Sequence, residues 1–329
     1  MREVYMKVRC VMTLSSLEAA AAVVYDAMRP TPQQRWPLLD ARCGTEVWAK
    51  HENHTPTGAF KVRGGLVYFE DLRRTQPSIA GVVSATRGNH GQSVGFAARR
   101  AGLRGVIVVP HGNGAEKNAA MRALGVELIV HGRDFQAAVE AADELASERG
   151  WHRVPSYHSL LVRGVATYAL EFLRGAPNLD VVYVPIGMGS GVCGMIAARD
   201  ALGLPTEIVG VVSSGAPAVA ISLETGSVVS HEVTTRVADG MACRTPSAEA
   251  LATIAHGVAR IVRVTDDEIE SAIGAIFADT HNAVEGAGAA GLAALLQERD
   301  RVAGRRAGIV LSGANIDSAE FARIVGRMA

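Results

Sequence analysis

Gly81-Val-Val-Ser-Ala-Thr-Arg-Gly-Asn-His-Gly-Gln92 sets an apolar run, a glycine-bearing turn and the start of a helical segment side by side. A short apolar run bounded by turn residues reads as a strand buried on both faces. Here that run is Gly81–Ala85, the turn is Thr86–Gly91, and a helix is expected from Gln92 to Ala101. The alternation continues downstream. Gly105–Pro110 and Val126–Val130 read as strands, and Ala115–Leu124 and Asp134–Arg149 as helices. Apolar runs of about 4–6 residues between helices of about 10–15 imply a parallel sheet with crossover helices.

On either side of this block the same grammar returns. Upstream, a helix over Leu17–Met28, with Ser15 and Ser16 as capping residues, is stopped by Arg29-Pro-Thr-Pro32. Thr45–Lys50 reads as a strand and Lys61–Arg74 as a helix whose first turns Gly64 and Gly65 weaken. Downstream, Gly164–Arg174 is helical and Val181–Pro185 a strand, followed by a glycine turn and a helix to Leu202. Glu207–Val212 is a strand, Asp266–Thr280 and Gly286–Arg299 are helices, and Ala307–Leu311 is the last strand. No internal repeat and no Pro/Ser linker interrupts the chain. The expectation is an α/β fold with two open, mainly parallel sheets and flanking helices. Residues 1–80 and 157–329 form a large domain, into which a small domain, 81–156, is inserted.

Composition narrows the function classes. The 329 residues are 48% hydrophobic but only 5% aromatic, so the core is aliphatic. Thirty-three basic and thirty-three acidic residues give a net charge of +0, and no basic face is concentrated enough for nucleic acid. Cys10, Cys43, Cys193 and Cys243 lie far apart with no C-x-x-C pair, which points to free thiols rather than a metal or redox cluster. The N-terminus has dispersed charges and no apolar core, and no run approaches the roughly 18 apolar residues of a membrane span. A cytoplasmic protein is expected.

Two turns and one lysine carry the chemistry. Gly187-Met-Gly-Ser-Gly191 follows a strand and opens a helix, so its backbone N–H groups can converge on an anion at the helix's positive end. It lacks the Lys-Ser/Thr ending of a nucleoside-triphosphate loop. Read alone, it is equally a plain strand-to-helix connection. The Thr86–Gln92 turn is a second cradle of this kind, in which Asn89 either caps the helix or offers its amide to a ligand. His90, by itself, reads as a packed residue. Lys61 sits at the end of His51-Glu-Asn-His-Thr-Pro-Thr-Gly-Ala-Phe-Lys61, behind a turn-rich run and beside Phe60. An imine-forming lysine must be partly desolvated to hold a neutral fraction near neutral pH.

In this order the motifs resemble the fold-type II pyridoxal-phosphate enzymes, specifically the serine/threonine dehydratase and serine racemase family, with a tryptophan-synthase-β-like fold. The resemblance runs from about Thr31-Pro32 to the C-terminus. It is carried by Thr57–Gly64, Gly88–Gln92, Gly187–Gly191 and Leu311-Ser-Gly-Ala-Asn315, with weaker support from Ala238-Asp-Gly240, Thr265–Ile269 and Glu285-Gly-Ala-Gly288. It implies a pyridoxal 5'-phosphate cofactor held by Lys61 as an internal aldimine and a small amino-acid substrate. Phe60 would cover the ring, Asn89 would bond its hydroxyl, Gly187, Met188, Gly189, Ser190 and Gly191 would hold the phosphate, and Ser312 would face the ring nitrogen. Thr86, Arg87, Gly88 and His90 would receive the substrate. The implied reaction is removal of the Cα proton by Lys61 and loss of a β-hydroxyl, giving a 2-oxo acid and ammonia. A homodimer is implied as well.

Where this sequence departs from the family it narrows the expectation. Arg87 stands where relatives carry a small residue, often serine. An arginine does not readily accept a proton, which argues against racemisation by that route. Arg87 can instead bind an anionic or extended polar substrate group; pairing with a nearby carboxylate, or simply lying in solvent, is the alternative. The stretch Val212–Ala218 has no carboxylates where metal-dependent relatives hold a divalent cation, so no metal is expected there. The short C-terminal end argues against an amino-acid-sensing domain. Threonine and serine are the default substrates, and hydroxyaspartate, phenylserine or a hydroxylated diamino acid remain open. A β-replacement synthase of the cysteine-synthase kind is the alternative enzyme, and a non-catalytic pyridoxal-phosphate or nucleotide-binding protein the alternative class.

Overall fold

The structure is a computed structural model that describes residues 12–133 and 135–327, so Cys10 and the expected helix start at Asp134 lie outside the described residues. The strands are β1 (Gln33–Arg35), β2 (Glu46–Lys50), β3 (Gly81–Ala85), β4 (Arg104–Val109) and β5 (Glu127–Val130). They continue with β6 (His152–Arg153), β7 (Val181–Pro185), β8 (Glu207–Ser213), β9 (Arg260–Val264) and β10 (Arg306–Val310). They form two sheets, in the orders β1-β2-β10-β7-β8-β9 and β5-β4-β3-β6. β1 runs antiparallel to β2, and the other pairings are parallel. This is an α/β fold with two mainly parallel sheets.

Strand alternation explains why each sheet is covered on both faces. Val181, Tyr183, Val209 and Val211 point into one core of the larger sheet, while Val182, Val184, Ile208 and Val212 point into another. The smaller sheet divides in the same way, Val82, Ile107 and Val109 on one side and Val83, Val106 and Val108 on the other. Near-continuous Val/Ile/Leu runs are what a doubly covered parallel strand requires.

Gly64 and Gly65 do not weaken their helix, which runs unbroken over Lys61–Thr75. A Cβ on Gly64 would lie 2.8 Å from the Leu161 carbonyl oxygen, and one on the facing Gly164 would lie 2.3 Å from that of Arg63. Helices Lys61–Thr75 and Ser159–Gly175 therefore meet backbone to backbone, and this close approach outweighs the propensity cost of glycine. The first helix begins at Leu14, capped by Thr13, whose hydroxyl accepts from the Ser16 N–H. Ser15 and Ser16 are inside its first turn rather than at the cap.

Sequence patterning misses β1, β6 and β9 and the helices Pro37–Cys43, Ala248–Gly257 and Ser318–Gly326. The first two strands are too short and polar to show a period. They are strands because a neighbouring strand's backbone is there to pair with.

Candidate active site

The chemistry-bearing segments all follow the carboxyl ends of parallel strands. β3 delivers Thr86–Gly88 into the helix Asn89–Arg100, and β7 delivers Ile186–Gly189 into the helix Ser190–Ala201. Open α/β sheets bind ligands at this end. Phe60, Lys61, Thr86, Arg87, Gly88, Asn89, His90 and the whole turn Gly187–Gly191 line one pocket of about 990 Å³, counting its open mouth. Ser312 is not among the lining residues. It is buried just beyond β10, where its carbonyl accepts from the Phe60 N–H at 3.1 Å.

Four helix N-termini face this pocket without a side-chain cap: those starting at Lys61, Asn89, Ser190 and Gly286. Uncapped first-turn N–H groups and the positive end of the helix dipole favour anions. The glycine turn keeps its N–H groups accessible by fitting where no side chain fits. A Cβ on Gly187 would come within 2.3 Å of the Gly240 carbonyl oxygen, and Gly189 has φ +97°. The turn is a cradle for a phosphate or carboxylate.

Lys61 opens its helix directly against that cradle, with Nζ donating to Ser190 Oγ at 2.8 Å. Burial pushes its pKa down to about 8, against the opposing attraction of Glu285. A sizeable neutral fraction therefore exists near physiological pH, as imine formation needs. The Phe60 ring lies 5.1 Å from Lys61 Nζ and close to Gly191.

The position of Lys61 is fixed from behind by a buried ion network. Arg63, fully buried, donates to Glu52 at 2.7 and 2.9 Å and to Glu171 at 2.6 and 2.9 Å. Lys50 pairs with Glu171 at 2.6 Å. Two cations and two carboxylates thus balance one another between β2, the helix Lys61–Thr75 and the helix Ser159–Gly175.

Sequence reasoning passed over three charged pocket residues. Glu285 is buried. Its Oε1 accepts from Asn89 Nδ2 at 2.7 Å, and its Oε2 has no hydrogen-bond partner. Burial raises its pKa to about 7, while the charge of Lys117 opposes the rise. Asn315 Nδ2 donates to Asn89 Oδ1 at 2.8 Å, which fixes which way the Asn89 amide points and leaves its other N–H available. Lys117 ion-pairs with Asp239 across the pocket, its stem passing 3.0 Å from where a Cβ on Gly88 would stand. Glu285 and Asp239 sit in the short matches Glu285–Gly288 and Ala238–Gly240. Lys117 carried no signal at all.

His90 is buried with Nε2 unpartnered, and burial followed by the nearby charge of Lys61 pushes it down to about 3, so its ring is neutral. Arg87 is the exposed member of its turn. Cys243 also lines the pocket, but burial pushes its thiol up to about 11, so it is protonated and inert near neutral pH. Among the described residues no group of His, Cys, Asp or Glu side chains is arranged to hold a metal ion, and no helix is long and apolar enough to cross a membrane.

A family profile described as pyridoxal-phosphate dependent enzyme matches residues 24–313. The chain is 36% identical over 287 residues to an L-threonine ammonia-lyase of Geobacter sulfurreducens, covering 87% of this chain and 71% of that protein. It is 31% identical over 297 residues to a biosynthetic L-threonine dehydratase of Haemophilus influenzae, covering 89% of this chain but only 58% of the relative's length. The processed form of threonine deaminase isoform 2 from Solanum lycopersicum superposes with a TM-score of 0.87 at 26% identity, over 96% of this chain and 94% of that one.

Proposed function

The chain belongs to the pyridoxal-phosphate dependent enzymes, and from that premise we propose that it eliminates water from a β-hydroxy-α-amino acid, the released enamine then tautomerising and taking up water to lose ammonia and give a 2-oxo acid. The observation that carries this reading is the 2.8 Å contact between Lys61 Nζ and Ser190 in the anion-binding turn. It sets a depressed-pKa amine beside a phosphate cradle, the pairing that a phosphorylated aldehyde needs. The similarity to threonine ammonia-lyases and dehydratases gives the reaction type its direction.

The residues fit the cofactor. Lys61 would hold it covalently, the N–H groups of Gly187–Gly191 its phosphate, the free N–H of Asn89 its ring hydroxyl, and Phe60 one ring face. Ser312, a neutral hydroxyl buried just beyond β10, would serve the ring nitrogen. Bound there, the group supplies an electron sink that acidifies the Cα–H of an attached amino acid. Everything else is the work of the protein. The uncapped start of the helix Asn89–Arg100, with Thr86 and Gly88, binds and orients the substrate carboxylate. Lys61 Nζ, in the neutral form that its lowered pKa makes accessible, takes the Cα proton, and its helix start holds the amine over that carbon. The Ser190 hydroxyl accepts from Lys61 Nζ and keeps it aimed. The neutral His90 leaves the substrate carboxylate to the backbone donors.

Residues 81–156 act as the substrate-side unit against the cofactor-holding remainder, and the enzyme works as a cytoplasmic homodimer. Threonine- and serine-like amino acids are within the class, as are bulkier or charged β-hydroxy analogues.

The test is direct. Purified protein supplied with pyridoxal phosphate should show a visible-edge absorbance band that borohydride removes and that Lys61→Ala lacks. It should release 2-oxo acid from β-hydroxy amino acids. A colourless protein ends the proposal. Formation of a thiol product from serine and sulfide without 2-oxo acid would replace it with a β-replacement synthase.

A further inference from the structure

We infer that Arg87 selects, among β-hydroxy-α-amino acids, those whose β-carbon bears a group ending in an oxygen acceptor, a carboxylate or a carboxamide. The inference rests on the elimination reading above and names its substrate class.

Charge in the pocket supports it. The cationic side chains lining the site are Lys61, Arg87 and Lys117, and the anionic ones are Asp239 and Glu285. Lys117 is paired with Asp239. Lys61 is bonded to Ser190 and is attracted by Glu285. Among the described residues, Arg87 has no hydrogen bond and no ion pair. A guanidinium has five N–H donors and no acceptor, and its planar fork matches a carboxylate or a carbonyl oxygen. With Asp239 paired to Lys117 and Glu285 accepting from Asn89, it is the cationic donor set left for a ligand.

Position separates this ligand group from the α-carboxylate. Thr86 and Gly88 are buried and His90 is 9% exposed, so the inner side of the turn is closed and its helix N-terminus supplies backbone donors there. Arg87 is exposed while still lining the pocket, which puts its head on the mouth side, beyond the atoms the turn itself holds. A substrate atom meeting it belongs to what extends from the β-carbon. The methyl group of threonine and the hydrogen of serine offer no acceptor there. The neighbouring walls, Phe135, Met188, Met241 and Cys243, provide no carboxylate to compete.

The experiment titrates the holoenzyme with amino acids that lack the β-hydroxyl and so cannot eliminate, following the absorbance of the bound cofactor. The probes are 2-aminobutyrate (no acceptor), asparagine (neutral acceptor) and aspartate (anionic acceptor). At least one acceptor-bearing probe should bind about tenfold or more tighter than 2-aminobutyrate, the worth of a charge-assisted hydrogen bond. Arg87→Ala and Arg87→Ser should abolish that preference while leaving 2-aminobutyrate within about twofold. Aspartate far ahead of asparagine identifies a carboxylate substituent, asparagine far ahead identifies an amide, and parity identifies an oxygen acceptor of either kind. Turnover of the matching β-hydroxy compounds against threonine should follow the same order in kcat/KM.

Equal binding of the three probes by the unmodified protein overturns the inference. So does an equal loss on all three in Arg87→Ala, which would place Arg87 on the α-carboxylate instead. Failure of the elimination reading looks different: no cofactor band, or no 2-oxo acid from any β-hydroxy amino acid.

Discussion

Replacing Arg63 with methionine should destabilise the cofactor-free protein by about 3–5 kcal/mol. The Arg63 side chain and that of Glu52 are both 0% exposed, and Glu171 is 6% exposed, so solvent screens none of this cluster appreciably. Arg63 makes both of the Glu52 ion contacts. Without it, Glu52 keeps only the Thr31 hydroxyl at 2.6 Å, and Glu171 falls back on Lys50. One carboxylate is then buried without a counter-charge, the situation in which removing a single partner is most costly. The paired variant Glu52→Gln with Arg63→Met removes both charges and should recover at least about 2 kcal/mol of the loss.

The pH dependence has a definite sign. Burial raises the Glu171 pKa, but hydrogen bonds and charge from Arg63, with Lys50 adding to them, outweigh that and hold it below the usual carboxylate range. A folded value below the unfolded one, about 4.3, contributes stability above that pH and loses it as pH falls through the folded value. The gap between wild type and Arg63→Met should therefore narrow below about pH 4. Urea unfolding at pH 7.5 and at pH 3.5, followed by tryptophan fluorescence, measures all of this. A midpoint shift equivalent to less than about 1 kcal/mol at pH 7.5 refutes the reasoning. So does a double variant as unstable as the single one.

Uptake of pyridoxal phosphate by cofactor-free protein should accelerate with pH with a midpoint near about 8 and level off above about pH 9, following the neutral fraction of Lys61, whereas an ordinary lysine would still be climbing beyond that. Stopped-flow absorbance reads the midpoint, and Lys61→Ala should show no borohydride-fixed cofactor at any pH. Glu285→Gln should stabilise the cofactor-free protein at pH 8 by about 1–3 kcal/mol and leave it unchanged near pH 4. Burial raises Glu285 to about 7, above its unfolded value, so the wild type loses stability as pH rises between the two. Thermal unfolding at the two pH values would contradict this if the gain were the same at both. Gly187→Ala must push a methyl group to within 2.3 Å of the Gly240 carbonyl oxygen or open the turn. Cofactor affinity should fall at least about tenfold with circular dichroism unchanged, and an affinity within about twofold of wild type would show that the turn tolerates a side chain.

What was legible in the chain alone is local. Strand and helix periods are set by neighbours a few residues apart, so β3, β4, β7, β8 and β10 could be placed almost to the residue. Glycine-rich turns after apolar runs announced where backbone N–H groups are left free, which is why Lys61, Thr86–His90 and Gly187–Gly191 could be singled out and do line one pocket. β1 and β6 were illegible because pairing alone makes them strands. Gly64 was misread because its reason, the facing Gly164, lies a hundred positions away along the chain.

Tertiary structure decided the electrostatics. Lys117 looks like any surface lysine on an amphipathic helix until the fold sets it against Asp239, 122 positions further on. Glu285 gains its raised pKa from burial beside residues contributed by other segments, and Lys61 its lowered one in the same way. Arg87 could be read as odd from sequence, but only the fold shows that no carboxylate among the described residues pairs with it. Backbone geometry follows from short-range sterics and period. Charge state and partnership depend on which distant groups a closed pocket brings within a few ångströms, and no local pattern carries that information.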